Sequence, residues 1–407
     1  MDFEPIAGTE ELRKEFEDFF KEVMKDAPPG WANSPDDLAT DEGWAFHQRI
    51  ARELGKRGWL SLAWPKKYGG LGKSIFEQLT FNEVRAYYRA PGVDGFGLAM
   101  VAPTLLAMGT EEQREEFLPP IARGEVTWAQ LWSEPEAGSD LANVQTMAVR
   151  DGDYYILNGQ KVWTTGAHRA DWAFAVVRTS KELTRSRGLS FLLFDLKSPG
   201  VEIRPLPTMS SHSRKVEAYF NEVFLDDVRV LVKNRVGEEN QGWAITRATM
   251  NFERSGLAGL GGIRHSLDEL IEFCKETRWR GKPLSEDPLI RYRLAEIAVG
   301  ITAGLATARH VLWGQHRVEM GEAPAMEMVP RASSMKYYQT ELDQRFVYLG
   351  CQIMGLYGQL KRESKWAPMA GKFERLYQSA PGPNIYAGST EIQKNLVAWI
   401  GLGLPRT

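Results

Sequence analysis

LWSEPEAGSDLANVQT, residues 131 to 146, and DGDYYILNGQKVWTTGAHRADWAFAVVRT, residues 151 to 179, form the most informative part of the chain. In the second stretch, YYILNGQKVWTT and WAFAVVRT have the two-residue period of β-strands. Similar stretches follow in LSFLLFDL, VEIRPL and VEAYFNEVFLDDVRV, separated by short polar or glycine-containing turns. The middle of the chain is therefore predicted to be a β domain.

Helical patterns flank this β region on both sides. Upstream, apolar residues recur at spacings of three and four in LRKEFEDFFKEVM, FHQRIARELGKRGWL and SIFEQLTFNEVRAYY, with breaks at PPG, WPKKYGGLG and Pro119–Pro120. Downstream of Gly237 the same period returns in AITRATMNFERSGLAGLGGIRHSLDELIEFCKETR and LIRYRLAEIAVGITAGLATARHVLWGQHR. We predict three domains, a helical domain at residues 1–125, a β domain at 126–237 and a helical domain at 238–407.

Composition narrows the class of protein. The 407 residues are 43% hydrophobic with a net charge of -3, which is typical of a globular protein with a sizeable core. The 50 basic and 53 acidic residues nearly balance, so the composition does not indicate a surface that binds nucleic acid. The acidic N-terminus does not resemble a signal peptide and no apolar run approaches the roughly 20 residues of a membrane span, so we expect a cytoplasmic protein. Two cysteines and six scattered histidines predict no metal site and no disulfide.

The two central stretches together resemble the flavin-binding β domain of acyl-CoA dehydrogenases in order and spacing. The likeness continues in GWLSLAWPKKYGGLG, GTEEQREEFLPPIARGE, FLDDVRV, RVGEENQGW and IYAGSTEIQ, and so covers nearly the whole chain. It implies an α+β fold with an N-terminal helical domain, a middle β-barrel and a C-terminal four-helix bundle. It also implies FAD, an acyl-CoA substrate, an electron-transfer flavoprotein as acceptor and a tetramer.

The candidate flavin-binding residues have side chains that suit a flavin. An isoalloxazine ring needs an apolar surface and fixed polar groups at its edge, and Trp163, Thr164 and Thr165 provide that mixture. By resemblance Thr165 bonds at N5 of the flavin, and Ser139 also lies where substrate CoA is approached. The implied cofactor-binding residues are Gln130, Leu131, Trp132, Ser133, Gly138, Ser139, Trp163, Thr164, Thr165, Gln352, Gly355, Ser389 and Glu391. The alternative is that these stretches are ordinary barrel turns, with Trp163 a core aromatic residue.

NIYAGSTEIQKN, residues 384 to 395, lacks the acid that the resemblance leads us to expect. The family's reaction removes the pro-R α-proton of an acyl thioester with a carboxylate while the β-hydrogen leaves as hydride to flavin N5. In most members that carboxylate is the glutamate of a YEGT-type segment, but here the position is Ala387. Glu391 is instead interpreted as an N-terminal helix residue favoured by the helix dipole.

A second position for the base exists in isovaleryl-type, long-chain-type and some sterol side-chain members, on a central helix directly before an arginine. Glu253, followed by Arg254 in MNFERSGLAGLGG, matches it and is predicted to be the catalytic base. Four nearby glycines cost roughly 1 kcal/mol each in a helix interior, which suggests a surface that something approaches closely. These are Gly256, Gly259, Gly261 and Gly262. The alternative is a solvated glutamate paired at helical spacing.

The implied substrate-binding residues are Ser139, Arg254, Ala387 and Gly388. By resemblance the thioester carbonyl accepts hydrogen bonds from a flavin ribityl hydroxyl and from a backbone N–H near Ala387, donors that stabilise the developing enolate. The small side chain of Ala387 leaves room at the ring, so a bulky, branched or cyclic acyl group is expected.

Several segments depart from the family pattern. Where the family has ERxxFG, Thr277 replaces the arginine and Arg280 the phenylalanine, and Arg278 is displaced by one position, or about 100° on a helix. Leu356 replaces a glycine of the GGxG segment. Either a mixed tetramer, in which a related chain supplies these contacts, or a homotetramer with altered contacts fits the pattern. Two other functions also remain open: a non-catalytic partner subunit, and a flavin oxidase or monooxygenase on the same fold.

Overall fold

The computed structural model of the protein describes residues 9–28, 31, 35–209, 219–253 and 258–406. Among these, the α-helices are α1 (Glu10–Val23), α2 (Pro35–Ala39), α3 (Asp41–Lys56), α4 (Ile75–Tyr87), α5 (Ala102–Met108), α6 (Glu111–Ala122), α7 (Gly242–Glu253), α8 (Ala258–Glu276), α9 (Pro288–Glu319), α10 (Met328–Met354), α11 (Lys372–Ser379) and α12 (Thr390–Leu396). The strands are β1 (Trp128–Leu131), β2 (Met147–Asp151), β3 (Tyr154–Thr165), β4 (Trp172–Arg178), β5 (Leu189–Asp195), β6 (Val201–Pro205), β7 (Phe220–Leu231), β8 (Arg235–Val236), β9 (Arg278–Trp279) and β10 (Lys282–Pro283). The predicted order of helical, β and helical regions is confirmed.

The described residues form two compact units. The first contains the described parts of Met1–Gly30, Ile75–Ala90 and Arg254–Thr407, and the second those of Trp31–Ser74 and Pro91–Glu253. The predicted N-terminal helical region therefore contributes to both units, and the two domain boundaries drawn from the sequence stay predictions. Within the described residues, none of the helices combines the length and the apolar character that crossing a membrane requires.

The second unit is built on one large sheet with the strand order β6-β7-β3-β2-β4-β5-β8, and β1 pairs with β4 in parallel. Strands β4 and β5 are almost continuously buried, which explains their uninterrupted apolar sequences. Strand β3 alternates between buried and more exposed positions over its first half. The sequence pattern located β3 to β7 but missed β1 and β2, because strands of four and five residues show too few repeats of the period.

The sequence predicts a break at the Pro119–Pro120 pair, but helix α6 passes through both prolines. Proline lacks the backbone N–H that an interior helical residue donates, so each of the two prolines leaves one carbonyl of the preceding turn without its usual helical donor. The carbonyls of Pro119 and Pro120 still accept the N–H groups of Arg123 and Glu125 at 3.1 and 3.0 Å. The chain turns away only at Gly124, whose φ is +64°.

Glycines near the start of α8 let other helices of the first unit approach it closely. A Cβ on Gly261 would lie 2.9 Å from the Cβ of Ala86 and 3.1 Å from the backbone nitrogen of Tyr87 at the end of α4. A Cβ on Gly259 would overlap the side-chain amide of Gln339 in α10. The close approach that the sequence predicts at these two glycines is therefore made by neighbouring helices, which removes one local argument for a catalytic role of Glu253.

Two adjacent glycines of α8 provide a matched test of this packing. At Gly262 the nearest atom to an added Cβ is the Ala86 carbonyl oxygen at 3.9 Å, so Gly262→Ala should raise the free energy of unfolding by about 0.5–1 kcal/mol through helix propensity. Gly261→Ala should lower it by about 1–3 kcal/mol, because α4 must shift. Urea denaturation of both purified variants measures the difference, and equal shifts in the same direction would contradict the packing described here.

Candidate active site

The two stretches that the sequence assigns to a flavin lie side by side in the second unit. The segment that follows β1 reaches β3, where the backbone N–H of Val162 donates to the carbonyl of Ser133 at 3.0 Å. Leu131 and Trp132 are buried, and Ser133 is half-buried. The structure thus brings residues 131–133 next to residues 163–165, as the resemblance implies.

Trp163 lies in a β-bulge. Between Lys161 and Thr164, β3 contains one residue more than β7, because Lys161 pairs with Val223 and Thr164 with Asn221. The φ angle of Trp163 is +60°, which is rare for a large side chain. Bulges redirect side chains, often beside active sites, and this indole is 56% exposed. The alternative in which Trp163 is a core aromatic residue is therefore wrong.

The side chain of Lys161 is completely buried and joins the two stretches. Its Nζ donates to the carboxylate of Glu134 at 2.8 Å, to the carbonyl of Trp132 at 3.1 Å and to the carbonyl of Val176 at 2.7 Å. All three N–H groups of the ammonium therefore have acceptors. One side chain of β3 thus holds the segment after β1 and also β4, a strand that does not pair with β3.

Glu134 is the counter-charge of Lys161. Its carboxylate also accepts the backbone N–H groups of Gln145 and Thr146, at 2.6 and 2.9 Å. Burial opposes ionisation, but Lys161 and these hydrogen bonds outweigh it and hold the pKa of the Glu134 carboxyl below its usual range. Burial also lowers the pKa of the Lys161 ammonium, an effect that the charge of Glu134 opposes. The pair joins residues 132–134 and 145–146 to β3.

Polar groups and open space around these segments fit a flavin. Within the described parts of the chain, the Thr164 hydroxyl and the Trp132 indole N–H are buried without a hydrogen-bond partner. A Cβ on Gly138 would meet no atom within 4 Å, and Ser139 beside it is exposed. Gln130 is half-buried at the end of β1. An exposed indole and unpaired donors in the same two stretches are groups of the kind that the face and edge of an isoalloxazine ring require.

The Ala387 loop lies in the first unit, between α11 and α12. Ala387 and Gly388 have φ angles of +55° and +82°. The Ser389 hydroxyl accepts the N–H of Ile392 at 3.4 Å and caps α12. Hydrogen bonds from the backbone N–H of Glu391 and from Ser389 hold the pKa of the Glu391 carboxyl below its usual range. A carboxylate with a lowered pKa is a weak base, which agrees with Glu391 as a helix N-terminal residue.

Gln352 and Gly355 lie at the C-terminal end of α10, and both are exposed. The N–H of Gly355 donates to the carbonyl of Gln352, and the φ of Gly355 is +59°. Leu356, which stands where the family has a glycine, is 81% exposed. A cofactor role for Gln352 and Gly355 stays a prediction.

Arg278 lies in a β-hairpin and not in a helix. Strand β9 pairs with β10 in antiparallel fashion, and the Arg278 guanidinium donates to the Gly281 carbonyl at 3.1 Å. The helical rotation of about 100° assumed from the sequence is therefore wrong. In an extended chain neighbouring side chains point to opposite faces, which makes Arg278 a poorer substitute for an arginine at the position of Thr277.

Glu253 is the last residue of α7, and its side chain lies outside the described part of the structure. Arg254 and Gly256 also lie outside the described residues. The assignment of the base and the substrate role of Arg254 therefore stay predictions.

Four residues that hold segments of the expected site are not predicted from the sequence. They are Lys161, Glu134, Lys336 and Gln393. For Lys161 a signal exists, since it occupies an inward position of β3 in the same alternation as the buried Tyr155. Lys336 offers no such signal, because its partners are backbone carbonyls 47 and 52 residues away.

Comparison with known proteins agrees with this arrangement. Three domain descriptions match the chain: "Acyl-CoA dehydrogenase, N-terminal domain" at residues 7–125, "middle domain" at 129–228 and "C-terminal domain" at 240–400. The acyl-CoA dehydrogenase FadE26 of Mycobacterium tuberculosis is 34% identical over 403 residues, covering 98% of this chain and 97% of the relative. The chain belongs to the acyl-CoA dehydrogenase family.

Solved structures extend the likeness of this acyl-CoA dehydrogenase to the whole fold. A chain of the ChsE4-ChsE5 complex from Mycobacterium tuberculosis superposes with a TM-score of 0.85 at 32% identity, and each chain is covered completely. A chain of the Tcur3481-Tcur3483 steroid ACAD gives a TM-score of 0.85 at 30% identity, again with complete coverage of both. The predicted fold class is confirmed, and the protein is an oxidoreductase of this family.

The Lys161–Glu134 pair can be tested through stability. Lys161→Met leaves a buried carboxylate without its counter-charge and should lower the free energy of unfolding by about 3–5 kcal/mol. The double variant Lys161→Met with Glu134→Gln removes the unpaired charge and should recover part of that loss. Chemical denaturation measures both. A single variant within about 1 kcal/mol of the wild type would mean that the pair does not hold this region together.

Proposed function

We propose that the protein catalyses the FAD-dependent α,β-dehydrogenation of an acyl-CoA thioester and passes the electrons to an electron-transfer flavoprotein. The observation that carries the proposal is the paired arrangement of residues 131–133 and 163–165, with Trp163 exposed and the Thr164 hydroxyl unpaired among the described residues. When bound, the flavin supplies the acceptor for the β-hydrogen, which leaves the substrate as hydride. Ser133 and Thr165 hold the polar edge of the ring, and Trp163 shields it from water.

The α-proton goes to the carboxylate of Glu253 in this proposal. A carboxylate can do this only if desolvation raises its pKa towards the working pH. The family resemblance of the Glu253–Arg254 pair supports the assignment, as does the presence of alanine at 387. The electron pair of the broken α C–H bond becomes the second bond between the α and β carbons, and the pair of the broken β C–H bond leaves with the hydride.

The backbone of the Ala387 loop supplies a donor for the thioester carbonyl. Among the described residues, the N–H of Ala387 has no acceptor, whereas the N–H groups of Ile385 and Tyr386 both donate to the Gly382 carbonyl, at 2.8 and 3.1 Å. A fixed donor that is free to bind the thioester oxygen stabilises negative charge as it develops there. The loop thus keeps a backbone N–H donor for the thioester, although position 387 has no acidic side chain.

For the substrate we propose a bulky cyclic acyl group, in particular the side chain of a steroid carboxylic acid. The small side chain of Ala387 supports this choice, and so does the likeness to a protein described as a steroid ACAD. Lithocholoyl-CoA is a suitable probe, because its side chain has hydrogens on both the α and β carbons. Octanoyl-CoA provides a straight-chain comparison.

For the assembly we propose a tetramer with a second, related acyl-CoA dehydrogenase chain. Thr277 in place of an arginine, Arg278 already bonded within its hairpin and the exposed Leu356 support a chain that does not complete a neighbour's flavin site. Two of the similar structures are two-component assemblies, which supports the same conclusion.

Glu253→Gln tests the proposed base. The variant should keep its flavin and bind lithocholoyl-CoA, but anaerobic flavin bleaching in a stopped-flow instrument should be about 10²- to 10⁴-fold slower than in the wild type. Glu391→Gln serves as the rival variant and should lose less than about tenfold, since its carboxylate is engaged at the start of α12. Loss of rate in Glu391→Gln but not in Glu253→Gln would refute the assignment. Rapid reoxidation of the bleached wild type in air would indicate an oxidase.

Coexpression with a homologue from a neighbouring gene tests the assembly and the silent-subunit alternative together. We expect a yellow mixed complex, and Ser133→Ala with Thr165→Val in this chain should strip its flavin, because these side chains hold the polar edge of the ring. Ion-exchange purification followed by the ratio of flavin to protein absorbance measures this. A complex that keeps all its flavin in the double variant would place the cofactor in the partner and make this chain the silent subunit.

A further inference from the structure

A lysine that the proposed function does not use bridges both ends of the Ala387 loop. From α10, the Nζ of Lys336 donates to the carbonyl of Pro383 at 2.7 Å and to the carbonyl of Gly388 at 2.8 Å. Hydrogen bonds from an ammonium are roughly twice as strong as those between neutral groups. A single half-buried side chain therefore fixes the distance across the loop.

A glutamine holds the same loop from the side of α12. Gln393 is completely buried, and its Nε2 donates to the carbonyl of Ala387 at 3.0 Å and to that of Gly388 at 3.3 Å. Burying an amide costs free energy unless it is hydrogen-bonded, so packing alone would favour an apolar side chain here. The two loop carbonyls account for its NH2 group, whereas its Oε1 is buried without a donor among the described residues.

Ala387 requires this support because its backbone is strained. Its φ of +55° is a left-handed conformation that residues with a Cβ adopt reluctantly. Relaxation to a negative φ would rotate the peptide plane that carries the N–H of Ala387. Such strain persists only where the surroundings determine the conformation, and here the carbonyls of Pro383, Ala387 and Gly388 are all held by side chains.

We propose that Lys336 and Gln393 are positioning residues, which keep the N–H of Ala387 aimed at the thioester carbonyl of the substrate. The proposal rests on the function proposed above and adds to it the device that prepares the donor. Neither side chain needs to touch the substrate. A donor that is already oriented does not have to turn as charge develops on the oxygen, which is why such preorganisation accelerates the reaction.

Acetoacetyl-CoA tests the donor separately from the base. Its α-proton is acidic enough to dissociate without enzymatic help, and the charge of the resulting enolate lies partly on the thioester oxygen. Lys336→Met keeps most of the side-chain length but removes the donor. In this variant the pH at which bound acetoacetyl-CoA is half converted to its enolate, read from the ultraviolet absorbance of the enolate, should rise. With lithocholoyl-CoA, kcat should fall on the order of 10- to 100-fold while KM changes little.

Three further variants make the test specific. Lys336→Arg can still donate to both carbonyls and should restore most of the wild-type titration. Gln393→Met should raise the same pH by removing the second clamp, so the test does not depend on the folding of one variant. Lys394→Met removes a lysine of α12 whose ammonium pairs with Glu341 at 2.8 Å on the surface, and it should leave the titration unchanged.

The outcomes separate this inference from the proposed function. An unchanged enolate titration in both Lys336→Met and Gln393→Met, with only a lower melting temperature, would indicate a purely structural role and overturn the inference. A wild-type complex that neither stabilises the acetoacetyl-CoA enolate nor dehydrogenates lithocholoyl-CoA or octanoyl-CoA would overturn the proposed function and this inference with it.

Discussion

The buried ion pair between Lys161 and Glu134 is the constraint on which the proposed cofactor site depends. Two charges placed inside a protein pay a large desolvation penalty, and such pairs often add little net stability. The pair instead fixes the positions of the segments that it joins. Because the ammonium also bonds the carbonyls of Trp132 and Val176, the segment after β1 can take only one position relative to β3 and β4. The flavin contacts that we propose for residues 131–133 and 163–165 depend on that position.

At two places in this molecule, a residue with a strained backbone lies in a segment that a lysine holds through hydrogen bonds. Trp163 in the second unit and Ala387 in the first both have a left-handed backbone, at φ +60° and +55°. Each lies in a segment held by a lysine that donates to backbone carbonyls, Lys161 in one case and Lys336 in the other. Left-handed backbone at residues with a side chain persists only where neighbouring groups enforce it. Within each unit, a strained residue thus lies in a segment whose neighbouring side chains restrain it.

Local periodicity in the sequence was sufficient to predict β3 to β7, most of the helices and the order of the three regions. It failed where the deciding interaction is not local or where too few residues carry the pattern. The break expected at Pro119–Pro120 was wrong, because the carbonyls of both prolines still accept backbone N–H groups further along the chain and α6 continues past them. The helical rotation assumed at Arg278 was wrong because a short hairpin begins there.

Family resemblance located the flavin and substrate segments, but it did not reveal what holds them. The bulge at Trp163 depends on register with β7, and the clamp of Lys336 depends on carbonyls far along the chain. Neither can be read from spacing. The glycines of α8 show the converse, since the sequence correctly indicated a close approach at Gly261 but not that a helix makes it.

The central claim is that the chain, with alanine in place of the usual acid, still removes two hydrogens from the acyl group of a CoA thioester. Mass spectrometry after anaerobic incubation of the flavin-containing protein with an equimolar CoA thioester of a steroid carboxylic acid tests it most directly. We expect an acyl-CoA lighter by two hydrogens. With substrate deuterated at the α carbon, one α-deuterium should be released to solvent and one hydrogen should be lost from the β carbon. An acyl group of unchanged mass across steroid, branched and straight-chain thioesters, with the flavin still oxidised, would contradict it.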